Sequence, residues 1–206
     1  FFGVLLSIGS SSFVANSVAG YALIYRRLFK AGDRVRIGEA VGDVLEMRMQ
    51  TTRLKTVKNE EVIIPNSTIM NSVVINYSAM ARDRGLILHT TVGIGYETPW
   101  RQVEGMLLMA AERTTGMLKE PPPFVLQKSL GDFCVTYELN AYSSTAGDMA
   151  EKYHALHANI QDVFNEYGVQ IMTPAYEADP REPKVVPKER WYQAPSLQPP
   201  GPAPGP

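Results

Sequence analysis

The sequence predicts a membrane protein of mixed α and β content. An apolar helix comes first, then a small β-barrel of SH3-like or Sm-like size, then an α/β domain in ferredoxin-like order. Three observations predict this. Residues 1–25 carry no charged side chain, and about 20 helical residues suffice to cross a bilayer's hydrocarbon core. Residues 31–78 read as short β-like runs broken by Gly, Asn and Pro. After Gly85, alternating strand patterns and two amphipathic helical patterns take turns.

The first element is the helix. Arg26, Arg27 and Lys30 close the uncharged run, the basic cluster expected on the cytoplasmic side of a span. Everything downstream is therefore expected in the cytoplasm, and the domain is assigned residues 1–29. The chain opens on Phe-Phe with no basic stretch ahead of its apolar run, so it reads as starting inside a larger protein rather than as a signal peptide. Gly3, Ser7, Ser11, Ala15 and Ala19 recur every four positions, a small-residue stripe that lets neighbouring helices approach closely in lipid. Val4 and Ile8 lie beside it, one turn apart. A ring of such residues from several subunits would form an apolar constriction, and narrow apolar pores close by dewetting. A plain anchor helix or a buried core helix fits the same periodicity.

Ser10, Ser11 and Ser12, followed by Asn16 and Ser17, are too polar for a purely lipid-facing surface. Consecutive serines also loosen the backbone ladder and permit a bend, so Ser11 and Ser12 are the candidate kink. Beyond them, Val14, Val18, Tyr21 and Tyr25 with the basic cluster suit a helix lying along the membrane interface.

Residues 30–79 form the predicted β domain. Val35 with Ile37, Val44–Met49, Thr51–Val57, Val62–Ile64 and Val73–Tyr77 are its strand candidates, punctuated by Gly32, Gly38, Gly42, Asn59 and Pro65. Residues 80–177 form the predicted α/β domain. Leu86, Leu88, Thr90, Val92 and Ile94 alternate as a half-buried strand. Pro99 is placed at the first helical position, ahead of Trp100, Val103, Leu107, Ala110, Ala111 and Thr114 at helical spacing. Phe124–Leu130 and Phe133–Tyr142 read as a hairpin joined at Gly131-Asp132. A second helix follows from Met149 to Tyr167, stopped at Gly168, and Val169–Met172 remain as a last short strand. The order β-α-β-β-α-β is ferredoxin-like. Residues 178–206 hold most of the proline and read as an extended or disordered tail.

The composition narrows the function classes. Twenty Lys plus Arg against 21 Asp plus Glu give a net charge of -1, so the basic excess that drives phosphate-backbone binding is absent. A single cysteine, Cys134, excludes a disulfide within the chain and fits a reducing compartment. Cys134 also has no basic neighbour in sequence to lower its pKa. His154 and His157 lack a third ligand at metal spacing, so they read as a solvated helix face and no metal or other cofactor is expected. Gly93-Ile94-Gly95 lacks the third glycine of a dinucleotide loop and reads as a strand ending in a turn. Asp33, Glu39 and Asp43 read as surface charges between turn residues. No hydroxyl nucleophile accompanies a base motif, so no enzyme is expected. A soluble Sm-like or ferredoxin-like module binding RNA or a small ligand stands as the alternative.

Several words in fixed order carry a resemblance. They are Ala19-Gly20, Phe29-Lys30-Ala31-Gly32-Asp33, Gly42-Asp43-Val44, Thr51-Thr52-Arg53-Leu54-Lys55-Thr56, Ile63-Ile64-Pro65-Asn66-Ser67 and Ile75-Asn76-Tyr77-Ser78. Together they resemble the small-conductance mechanosensitive channel family, the MscS type, and the order from Gly85 to Met172 is similar to that family's carboxy-terminal domain. The resemblance implies a tension-opened channel of the cell inner membrane that releases ions and small osmolytes on hypo-osmotic shock. It further implies a homoheptamer, contacts with lipids, and a cytoplasmic cage whose side portals pass ions. Carried over by position, the family's two pore-constricting leucines fall on Val4 and Ile8, both β-branched here. The family's Gln-Gly at the kink falls on Ser11 and Ser12, without the glycine.

Overall fold

The structure, a computed structural model, describes residues 2–171 and 185–195, and within the first helix it describes side chains from residue 11 onward. The chain divides into two compact units, residues 1–86 with 144–148, and residues 87–143 with 149–206.

In the first unit, helix α1 (Phe2–Arg26) ends where Arg27 takes a left-handed φ of 50° and its N–H still reaches Leu23 O at 3.1 Å. It runs through Ser11 and Ser12 without interruption. Strands β1 (Arg34–Ile37), β2 (Ala40–Met47), β3 (Thr51–Lys55), β4 (Glu61–Pro65) and β5 (Val74–Asn76) form an antiparallel sheet in the order β4-β3-β2-β1-β5. Ile37 pairs with Ala40 across a two-residue turn, and Gly38 supplies its positive φ of 57°, as right-twisted strands require. Val35, Ile37, Val44, Leu54 and Ile64 alternate inward, and Leu23 of α1, Phe29 and Ile69 complete the core.

Two short helices were not expected, and the second replaces the end of an expected strand. Helix α2 (Asn66–Met70) follows Pro65, and helix α3 (Tyr77–Asp83) takes over at Tyr77, where a strand was expected to end. Asn76 caps α3 by accepting the Ala79 N–H at 2.9 Å, which stabilises a helix start in place of further strand. Helix α3 runs across residue 79, and the first unit includes the chain through Leu86.

In the second unit, strands β6 (Leu86–Ile94), β7 (Phe124–Leu130) and β8 (Val135–Ser143) form a sheet in the order β6-β8-β7. Helices α4 (Trp100–Arg113) and α5 (Met149–Glu166) supply Val103, Leu107 and Ala110, and Leu156, Ile160, Val163 and Phe164, to one core with Val135, Tyr137 and Leu139. Pro99 caps α4 from outside instead of occupying its first helical position. Burial pushes the Tyr137 hydroxyl up to about 12, because a phenolate would lose its hydration there. The predicted hairpin is present with a longer connection. Leu130 pairs with Val135, the loop is closed by Gly131 N–H to Cys134 O at 2.8 Å, and Phe133 stays exposed outside the strand. The last predicted strand is reduced to a single bridge, Ile94 with Ile171, with Met172 outside the described residues.

The tail differs from the expected featureless segment where it is described. Residues 185–195 contain a 3-10 turn (Lys188–Arg190) and lie against α4. The buried Gln102 amide donates to Ala194 O at 3.0 Å, and Pro195 sits so close to Gly105 that a Cβ there would lie 3.1 Å from its carbonyl oxygen. The Arg101 guanidinium lies 4.2 Å from the Trp100 ring and 4.7 Å from the Tyr192 ring, a cation–π arrangement that ties the segment down. Proline suppresses helix and ladder formation but leaves the aromatic residues between prolines free to dock.

Candidate functional site

The site lies in the first unit, where the second half of α1 meets the β sheet. Ala19, Gly20 and Leu23 are buried there, while Phe13, Val14, Val18, Tyr21, Ile24 and Tyr25 are exposed. Tyr21 and Tyr25 stack with centroids 6.2 Å apart. A helix with one face docked and an aromatic, apolar opposite face suits a boundary between protein and lipid headgroups.

Polar chemistry fixes the docked face. The N-terminus of α2 presents backbone N–H groups that its own Pro65 cap does not bond. Asn16 of α1 supplies one acceptor: its Oδ1 takes the Ser67 N–H at 2.9 Å. The Asn16 amide also donates to Ser12 O at 2.9 Å, which holds the side chain against its own helix. One turn on, Gly20 touches the β2–β3 loop so closely that a Cβ would lie 2.0 Å from Met49 O and 2.6 Å from Asn66 Nδ2.

Asn66 organises that loop. It is 1% exposed, and its amide donates to both Arg48 O and Met49 O at 2.9 Å while its Oδ1 accepts the Thr52 hydroxyl at 2.9 Å. A buried amide with its bonds satisfied this way specifies one loop geometry.

A second polar cluster holds the connector after α1. Asp33, 2% exposed, accepts from Arg82 Nη1 at 2.8 Å, Asn76 Nδ2 at 3.0 Å and the Lys30 N–H at 3.1 Å. Asn76 also donates to Leu28 O at 3.2 Å. Burial by itself would raise the Asp33 pKa, but the bonds from Arg82, Asn76 and Lys30 and the Arg82 charge outweigh it, so the carboxyl is held below the usual range. Asp43 takes a bidentate pair from the buried Arg34, with both contacts at 2.8 Å. The reading of Asp33 as a surface charge is therefore corrected, because donors 43 and 49 positions away in sequence converge on it, whereas Asp43 keeps a 38% exposed side chain while pairing with Arg34. Beside this connector and α3 lies a cleft of about 500 Å³ whose lining includes the apolar Ile24, Leu28 and Met47 and the basic Arg27, Lys30 and Arg82.

The other expected residues fall as follows. Gly3, Val4, Ser7 and Ile8 lie in α1, but their side chains are outside the described residues. Ser11, Ser12 and Ala15 are exposed, whereas Ala19 is buried within its own unit. Among the described residues no helix is long and apolar enough to cross a membrane. The described side chains of α1 cover residues 11–26, which is 16 positions, fewer than the roughly 20 a span needs. Among the described residues no group of three His, Cys, Asp or Glu is arranged to hold a metal. His157 Nε2 lies 2.9 Å from the Thr90 hydroxyl, and Cys134 is half-buried. Asn16, Gly20, Asn66 and Asp33 were not singled out from the sequence as site residues. The signal available was an Asn directly after the apolar Ile63-Ile64-Pro65, a polar side chain at a helix start.

Comparison with known proteins covers both units. Residues 12–79 match a family model described as the mechanosensitive ion channel beta-domain, and residues 88–171 match the MscS C-terminal model. An uncharacterized MscS family protein of Haemophilus influenzae is 29% identical over 166 residues, 81% of this chain and 15% of that protein. The miniconductance mechanosensitive channel MscM of Escherichia coli is 25% identical over 175 residues, 85% of this chain and 16% of that protein. The chain thus spans about a sixth of the length of these relatives. Among solved structures, closed-state MscS of Helicobacter pylori aligns with a TM-score of 0.73 at 16% identity, covering 88% of this chain and 71% of that one. MSL1 of Arabidopsis thaliana aligns with a TM-score of 0.61 at 18% identity, covering 83% and 62%. At such identities the likeness is one of fold.

Proposed function

The chain belongs to the MscS family of mechanosensitive ion channels, and from that premise we propose that it is the pore-lining and cytoplasmic part of a tension-opened membrane channel. The family is one of channels, not of enzymes. In this reading residues 1–29 are the pore helix with an interfacial second half, residues 30–79 an SH3/Sm-like β domain and residues 80–177 a ferredoxin-like α/β domain. Residues 178–206 are the tail. The channel is a homo-oligomer, a heptamer by its family, set in a cell inner membrane with residues from about 30 onward in the cytoplasm. It releases ions and small osmolytes on hypo-osmotic shock.

The observation that carries this reading is the two-sided second half of α1. One face is fixed to helix α2 through Asn16 and to the β2–β3 loop through Gly20. The other is apolar and aromatic, and the basic residues follow at once. A helix held that way transmits a change in the membrane to the cytoplasmic unit. Arg27 and Lys30, lining the cleft beside Ile24 and Leu28, are suited to anionic headgroups over acyl chains.

Gating is then an equilibrium between two arrangements of the pore helices. Tension shifts it only because the open arrangement occupies more membrane area, as a ligand shifts a balance only through its differential interaction with two states. Val4 and Ile8 form the closed seal by excluding water, Gly3, Ser7, Ser11 and Ala15 form the sliding surface between helices, which stops short of Ala19 because that residue is buried within its own unit, and Ser11 with Ser12 gives the bend. Ile8→Ser is expected to lower the tension threshold and raise closed-state leak several-fold in patch recordings of the full-length channel. Threshold and leak both at wild-type values would remove Ile8 from the gate. A soluble RNA- or ligand-binding module is not favoured, because both matched domain models are channel domains.

A further inference from the structure

The second unit holds a cleft of about 460 Å³ between the start of α4, the β7–β8 hairpin and the docked tail, a volume usual for small-molecule sites. Tyr96, Trp100, Tyr137 and Trp191 supply aromatic rings to its wall. The Tyr96 hydroxyl donates to Gly131 O at 2.7 Å, which fixes that ring to the hairpin. Val186 and Trp191 belong to the tail, held on α4 by the Gln102 bond to Ala194 and by the close approach of Pro195 to Gly105. The matched C-terminal model stops at residue 171, so the tail wall lies outside the matched domain.

The same cleft gathers unused donors. Thr98, Pro99, Trp100 and Arg101 line it, so α4 begins at its wall. The N–H groups of Trp100 and Arg101 fall in the first turn, where a helix offers no acceptor, and Pro99 provides no side-chain cap. The Arg101 guanidinium lies against the Trp100 and Tyr192 rings and has no carboxylate partner and no hydrogen bond among the described residues. A helix start beside an arginine is suited to phosphate. A separate observation comes from β8: Tyr137 lines the cleft and is 2% exposed, yet its hydroxyl has no hydrogen-bond partner among the described residues. A buried hydroxyl is costly to leave unpaired, and a ligand atom in the cleft would satisfy it.

We propose that this cleft binds a mononucleotide, with the base among the aromatic rings and the phosphate at the start of α4 beside Arg101. Bases stack on aromatic side chains through their π-faces. Their edges carry both donors and acceptors, which the Tyr137 hydroxyl and the Gln127 amide can meet because each donates and accepts. The Tyr137 phenol keeps its proton at neutral pH, since burial pushes it up to about 12. A simple cation is disfavoured by Arg101, and an apolar ligand would leave both Arg101 and Tyr137 without partners. A polynucleotide needs a wide basic surface, which a net charge of -1 does not provide.

The test is calorimetric titration of the purified full-length channel with the four ribonucleoside 5′-monophosphates, the matching nucleosides and inorganic phosphate. At least one nucleotide should bind about tenfold more tightly than its nucleoside and than phosphate, the gain expected of charge-assisted bonds. Arg101→Gln should remove that gain and leave the nucleoside affinity within about twofold, whereas Arg101→Lys, which keeps a cation beside the rings, should retain part of it. Tyr137→Phe keeps the buried ring and should weaken nucleotide and nucleoside alike by about threefold. Absence of binding by all four nucleotides overturns the proposal. So does equal affinity for nucleotide and nucleoside, for then no phosphate is read, or for nucleotide and inorganic phosphate, for then no base is read. Tighter binding of indole-3-acetate than of any nucleotide would assign the cleft to aromatic carboxylates instead. Patch recordings of the same variants keep the channel reading separate, since failure to bind with normal tension gating touches the cleft alone.

Discussion

Gly20→Ala is expected to lower the stability of the first unit by about 3 kcal/mol, the upper end of what overpacking costs, and to disturb gating strongly. The new Cβ would lie 2.0 Å from Met49 O, far inside the 3.4 Å at which ordinary contact begins. Two of its three nearest atoms are backbone, and the third is the Asn66 amide nitrogen, already bonded to Arg48 O and Met49 O. None of them can swing aside as the end of a flexible side chain would. Relief therefore requires α1 to lift from the β2–β3 loop, which also stretches the Asn16–Ser67 bond one turn away. The check is a thermal unfolding scan of the purified channel with patch recordings of threshold and open dwell. Ala15→Ser, at an exposed position of the same helix, should change stability by no more than about 0.5 kcal/mol. Equal behaviour of the two variants would count against the close approach.

Asp33→Asn is expected to destabilise the connector and α3 by about 2 kcal/mol, in the range for hydrogen bonds to a charged group. An amide retains one acceptor but turns its own donors toward the Asn76 amide and the Lys30 N–H, which already donate there. The cost stays moderate because the Arg82 side chain is 49% exposed and regains water when its partner is lost. The pH dependence follows from the direction of the shift. The folded carboxyl titrates below its ordinary value, so its contribution is fully present above the unfolded pKa of about 3.9. It is lost as the pH falls through the lower folded value. Thermal midpoints taken downward from pH 5 should therefore fall more steeply for the wild type than for Asp33→Asn. Parallel curves would mean that Asp33 titrates alike in both states.

Much of the architecture was legible because it rests on period. The alternation through Leu86, Leu88, Thr90, Val92 and Ile94 marked β6, and the spacing of Leu156, Ile160, Val163 and Phe164 marked α5. Helices of five and seven residues, α2 and α3, complete too few turns to show a period, so apart from Tyr77 their residues stayed unassigned between the strand candidates. The Pro-rich composition of the tail concealed Trp191 and Tyr192, whose docking depends on Arg101 in a distant helix. The junction was illegible for the same reason. Asn16 and Ser67 are 51 positions apart, and an asparagine inside an apolar helix reads as a polar blemish until its partner in space is known. The apolar positions Val4 and Ile8 are conspicuous in sequence, yet the role proposed for them depends on packing between chains.

The attachment of α1 at Asn16 and again at Gly20 has a mechanical meaning. A rod pinned at one point swivels freely about it, and a pull on its far end is spent in turning. Pinned twice, a helical turn apart, the rod cannot roll about its own axis without dragging the plate it is fastened to. Helix α2 takes the pin at Asn16 and the β2–β3 loop takes the pin at Gly20, so a twist of the helix arrives in the β domain as torque, and the domain's stiffness resists the twist in return.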